Sequence, residues 1–94
     1  MVEFKKSDLL FLTQLDIKIE LFAIKQLDED DKRYWQLKIK AVNNSFVQEG
    51  FYYGARGEIR RFYQLNALYD SCTDIFSDKC ESITIILKEE KHDL

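Results

Sequence analysis

The apolar residues change period at Gly57, and that change limits the folds open to this chain. From Ile17 to Tyr53 they alternate, and after Gly57 they recur at spacings of three and four. Alternation puts every second side chain on one face of a strand, whereas the longer spacing builds a stripe along a helix. Proline is absent, and the three glycines, Gly50, Gly54 and Gly57, all stand where the period changes. Strands followed by a helix that covers them make an α+β fold.

Ile17, Ile19 and Leu21 face one way, and Lys18 and Glu20 the other. Phe22 and Ile24 take the opposite phase, which implies a bulge or a strand covered on both faces. Asp28, Glu29, Asp30 and Asp31 end this strand in a solvated hairpin connection, since a run of like charge stays in water. Tyr34 to Val42 forms the next strand, with Trp35, Leu37, Ile39 and Ala41 inward and Lys38 and Lys40 facing water. Asn43-Asn44-Ser45 matches a glycosylation acceptor pattern but reads as a turn. Phe46 to Tyr53 is a third strand, with Val47, Phe51 and Tyr53 on one face and Phe46 and Tyr52 on the other, completing an antiparallel meander.

The helical stripe runs through Ile59, Phe62, Leu65, Tyr69, Cys72 and Phe76, and Ser82 to Lys88 alternates again as a last strand. Near the start, Ser7-Asp8 either caps a short helix over Leu9 to Leu15 or belongs to a strand extending from Phe4. Glu89 to Leu94 is a charged tail. The expected fold is an antiparallel three- to four-stranded sheet with one long helix packed on one face. Its order is (α)-β-β-β-α-β, in a single domain over residues 1–94.

Composition narrows the function. The 94 residues are 46% hydrophobic and 14% aromatic, enough for a core without staples, and no apolar run approaches membrane-spanning length. The start of the chain has too short an apolar patch for a secretion signal, so a cytoplasmic protein is expected. Net charge is −3, from 14 basic and 17 acidic residues, which disfavours broad binding to nucleic acid or anionic membrane.

Catalytic and metal chemistry finds little to work with. Cys72, Cys80 and the lone His92 do not make a zinc set, and the acids of 28–31 lack the glycine and terminal glutamate of a calcium loop. No phosphate-binding loop, dinucleotide fingerprint or nucleophile elbow is present. The expectation is no enzyme activity, no metal and no cofactor. Free thiols are preferred over a Cys72–Cys80 bridge in a reducing compartment.

The most chemically loaded stretch is Gly50 to Tyr63, where Tyr52, Tyr53, Arg56, Arg60 and Arg61 crowd together. Tyrosine and arginine are common anchors of protein interfaces. In a helix starting just after Gly57, Arg60 and Arg61 occupy the first turn, and Asp70, Asp74 and Asp78 the later turns. Those are charges reversed from the arrangement that the helix dipole favours. A binding surface is therefore expected from this Tyr/Arg cluster together with the acids Asp28, Glu29, Asp30, Asp31, Asp70 and Asp74.

In size, acidity and lack of catalytic motifs the whole chain resembles toxin-immunity proteins, antitoxins and phage-encoded inhibitors of host defence such as anti-CRISPRs. That resemblance implies a stoichiometric inhibitor of another protein, for which a nuclease or nucleic-acid-binding machine is the expected partner. The alternative is a nucleic-acid-binding protein using the cluster at residues 52–61. A homodimer is also among the expected states, because sheet edges and surplus aromatics invite self-association.

Overall fold

In a computed structural model, residues 1–88 are described. They form strands β1 (Val2–Phe4), β2 (Lys18–Leu27), β3 (Arg33–Val42), β4 (Val47–Tyr52) and β5 (Ile83–Ile86), with helices α1 (Lys6–Leu12) and α2 (Leu65–Phe76). A single 3-10 turn, Ser77–Lys79, follows α2. The charged tail and His92 lie outside the described residues.

The fold is α+β, but the sheet is five-stranded and mixed, in the order β1-β4-β3-β2-β5. The expected meander is present, with β2 antiparallel to β3 and β3 antiparallel to β4. The edges correct the expectation, since β1 runs parallel to β4 and β5 parallel to β2. The reason is in the connections. Helix α1 carries the chain from β1 to β2, and α2 carries it from β4 to β5, and such crossovers deliver parallel strands. Only β3 runs against the others.

Both helices pack on one face. Leu9 and Leu12 of α1 and Leu68, Cys72, Ile75 and Phe76 of α2 join Leu21, Trp35, Leu37, Ile39 and Tyr52 in one core. Strand β3 keeps the expected sidedness. The Trp35 indole N–H finds no hydrogen-bond partner among the described residues, and nothing in the structure accounts for it.

Strand β1 escaped the sequence pattern because it is only three residues long, and Gly50 explains how it fits. Val2 sits opposite Gly50, and a Cβ at position 50 would lie 1.9 Å from the Val2 carbonyl oxygen. Glycine is required there by close approach of two backbones. At the next element, Asp8 accepts the Lys5 N–H at 2.8 Å, which closes the first turn of α1 and selects helix over extended strand.

Helix α2 starts at Leu65, later than the periodicity implies. Residues 59–62 are extended instead. Ile59 bridges Tyr53, and Phe62 exchanges backbone hydrogen bonds of 2.6 and 2.9 Å with Trp35. Strand β4 parts from β3 beyond Phe51, leaving the start of β3 with backbone groups to satisfy, and this segment fills the place. Arg60 and Arg61 are therefore not in a helix, and the reversed-dipole argument does not apply to them. Tyr69, expected on the inner stripe, is 56% exposed. The last strand is likewise shorter than expected, with Ile85 and Leu87 exposed.

The second face of the sheet carries no helix among the described residues, yet it is not simply polar. Strand β2 pairs without a bulge from Lys18 to Leu27, so Phe22 and Ile24 point to this face together with Tyr34 and Phe51. Ile24, Tyr34 and Phe51 are buried there, apart from the helix-covered core. Longer polar side chains shelter them. Gln26 donates to Gln36 at 3.3 Å beside Ile24, and the Lys38 ammonium lies 5.9 Å from the centre of the Phe51 ring. Lys38, expected in water, keeps only 12% of its side chain exposed and pairs with Glu49 at 2.9 Å. That contact is the first cause of the Glu49 carboxyl falling below its ordinary range.

Candidate functional site

The expected site residues divide into three places. The first is the tip of the β2–β3 hairpin. Asp28 Oδ1 accepts the Asp30 and Lys32 N–H groups at 2.8 and 2.9 Å, and Asp31 takes a left-handed φ of 59°. The Lys32 hydrogen bond is the largest of the causes holding the Asp28 carboxyl below its usual range. This is a solvated turn fastened by its own first carboxylate, as aspartate favours.

Against this tip lies the extended segment. Tyr63 donates from its hydroxyl to Asp28 Oδ2 at 3.1 Å, and its ring sits 5.8 Å from that of Tyr34. The Arg61 guanidinium stands 4.6 Å from the centre of the Tyr34 ring and reaches Glu29 at 3.5 Å. A hydrogen bond with Tyr63 is the first cause of its holding a proton more firmly than usual, with Tyr34 next. Asp28, Glu29, Arg61, Tyr34 and Tyr63 thus form one amphipathic corner at the border of the helix-free face. Tyr34 and Tyr63 were not singled out from sequence. A hairpin tip meeting a strand 35 positions later leaves no local pattern.

The second place is the end of β4. Tyr52 is 4% exposed, stacked 6.4 Å from Phe62 in the core, and offers little surface. Tyr53 is half-buried beside it, and Arg56 is exposed in the turn that follows. Arg60 covers the Phe62 ring at 4.8 Å and the Tyr52 ring at 5.9 Å. Strand β1 brings an addition that sequence reasoning missed, because the Tyr53 N–H donates to the Phe4 carbonyl at 2.7 Å. Lys5, Lys6 and Ser7 consequently share a cleft of about 390 Å³ with Tyr52, Tyr53 and Arg60.

The third place is the outer surface of α2, where Asp70 and Asp74 are exposed and Asp74 pairs with Lys6 at 3.6 Å. These two acids belong to the helical layer and do not join the hairpin corner. Among the described residues no three His, Cys, Asp or Glu side chains group as metal ligands, and no helix is long and apolar enough to cross a membrane. Cys72 and Cys80 are free thiols. Comparison with known protein families, curated proteins and solved structures finds no match to the chain.

Proposed function

We propose that the chain is a small protein-binding module that acts as a stoichiometric inhibitor of a partner protein, without catalysis of its own, in the cytoplasm. The observation that supports this is the helix-free sheet face, where the half-buried Phe22 shares a side with the buried Ile24, Tyr34 and Phe51, alternating across the strands with Gln26, Gln36 and Lys38. A one-sided sheet in water ordinarily sets polar residues on its open side. An apolar, aromatic layer rimmed by charge has the composition of an interface centre with its rim. Tyr63 and Arg61, exposed beside the buried Tyr34 ring, are the anchors, and the acids Asp28 to Asp31 at the tip steer the approach of a basic partner, a nuclease or nucleic-acid-binding machine.

The test is capture of the partner on the tagged chain, followed by titration of the purified partner's activity. Inhibition that ends at one equivalent, and weakens at least roughly tenfold with Tyr63→Ala plus Arg61→Glu, supports the reading. A folded double variant that inhibits as well as wild type refutes the assigned surface. Binding to oligonucleotides that falls steeply with salt, with no protein partner, favours the nucleic-acid alternative instead.

A further inference from the structure

The two neighbouring arginines are treated differently by the fold. Arg61 has Glu29 and Tyr63 as partners, whereas Arg60 has no carboxylate partner among the described residues. Arg60 is nonetheless held in place, its guanidinium resting over the rings of Phe62 and Tyr52. A guanidinium held over aromatic rings retains its five N–H donors, which suits bidentate recognition of an oxyanion.

The cleft next to it is lined by Lys5, Lys6, Ser7, Tyr53 and Arg60, with no carboxylate in its lining among the described residues. In a chain of net charge −3 this is a local reversal of sign. Two acids touch residues of the cleft without entering its lining. Asp8 accepts the Lys5 backbone N–H, and Asp74 meets Lys6 across 3.6 Å with both side chains mostly exposed, a pairing too exposed to neutralise the site. Nothing in sequence joins these groups. The parallel pairing of β1 with β4 brings Lys5 to Tyr53, and the return of 59–62 brings Arg60 to the same residues.

We infer that this cleft is a phosphate-binding site, separate from the surface assigned to the protein partner. Arg60 clamps two phosphate oxygens, Lys5 and Lys6 supply charge, and the Ser7 hydroxyl donates, with the half-buried Tyr53 in the same lining. The phosphate comes either from a free nucleotide or from a nucleic-acid strand, since both present the same group.

The experiment is a titration of the isotope-labelled full chain at low salt, followed by amide shifts, with inorganic phosphate, a mononucleotide and a short single-stranded oligonucleotide as separate probes. Saturable shifts centred on Lys5, Ser7, Tyr53 and Arg60, with Kd of roughly millimolar order for phosphate alone, are expected. Arg60→Gln and, independently, Lys5→Gln weaken binding roughly tenfold each, while Arg33→Gln, which removes the same charge outside the cleft, leaves it unchanged. A tighter oligonucleotide than mononucleotide identifies the strand as source, and equal affinities identify the free nucleotide. No saturable shift with any probe, or equal binding by folded Arg60→Gln and Lys5→Gln variants, overturns the site. A phosphate-free acidic peptide binding as well as the nucleotide overturns its assignment to phosphate. Neither Arg60 nor Lys5 belongs to the hairpin corner, so this site and the protein-binding surface fail separately.

Discussion

Tyr63 donates a 3.1 Å hydrogen bond to Asp28, and this contact fastens the hairpin tip to the segment that precedes α2. Because Asp28 also accepts two backbone N–H groups of its own turn, one side chain sets both the turn and its docking. Asp28→Ala is expected to loosen the tip and free Tyr63, with Asp28→Asn intermediate because its carbonyl oxygen still accepts. Amide exchange at Asp30 and Lys32 reads the difference. The Asp28 carboxyl is depressed in the folded chain, so its contribution is present above the ordinary value of 3.8 and is lost as pH falls through the folded value. The Asp30 and Lys32 amide shifts in wild type therefore move at acid pH, below 3.8, and Asp28→Asn removes that transition.

Gly50→Ala is expected to expel β1. The added methyl would meet the Val2 carbonyl oxygen at 1.9 Å, which is backbone and cannot rotate away. A loss of about 1–3 kcal/mol is expected from such overpacking. Denaturant midpoints measure it, and loss of amide protection in Val2–Phe4 shows where it acts. Unchanged protection there would mean that β1 does not pair with β4.

The two thiols should behave differently. Cys72 is fully buried, and burial pushes its thiol up to about 12, while Cys80 is raised less and is partly accessible. An alkylating reagent is expected to modify Cys80 in the folded chain and Cys72 only on unfolding. The pH dependence has a definite sign. The folded value of Cys72 lies above its ordinary value of 9.0, so stability is full below 9.0 and declines as pH rises towards about 12. Cys72→Val shallows that decline, read as denaturant midpoint against pH.

The helix-free face also predicts a contrast in core energetics. Ile24 is 0% exposed there, and Ile85 on β5 is 47% exposed. Ile24→Ala is expected to cost about 2–4 kcal/mol, as a buried aliphatic truncation does, and Ile85→Ala less than about 1. Equal costs at the two positions would show that the face is not packed.

Long-period features were legible in the sequence, and short or non-local ones were not. Strands β2 and β3 declared themselves through alternation, and the acidic run at 28–31 and the Asn43 turn marked their ends. Segment 59–62 misled because Ile59, Phe62 and Leu65 fit a helical stripe as well as an extended run. Its conformation is decided by the backbone of Trp35, 27 positions away from Phe62. Strand β1 is too short to show a period, and its clue was Gly50, whose reason lies in Val2. The candidate site followed the same rule. Arg60 and Arg61 were picked from one cluster, but strand alternation sends them to opposite faces, one towards Tyr52 and Phe62 and the other towards Tyr34. Lys5 reached the site only through tertiary pairing.

Hydroxyl-radical footprinting of the complex with the captured partner tests the central claim most directly, because two tyrosines of similar exposure report on opposite layers. Tyr63 is 48% exposed at the corner of the helix-free face, and Tyr69 is 56% exposed on α2. Partner binding is predicted to protect Tyr63 and Phe22 and to leave Tyr69 as reactive as in the free chain. Protection of Tyr69 with Tyr63 unchanged would contradict the assignment of the helix-free face as the surface that holds the partner.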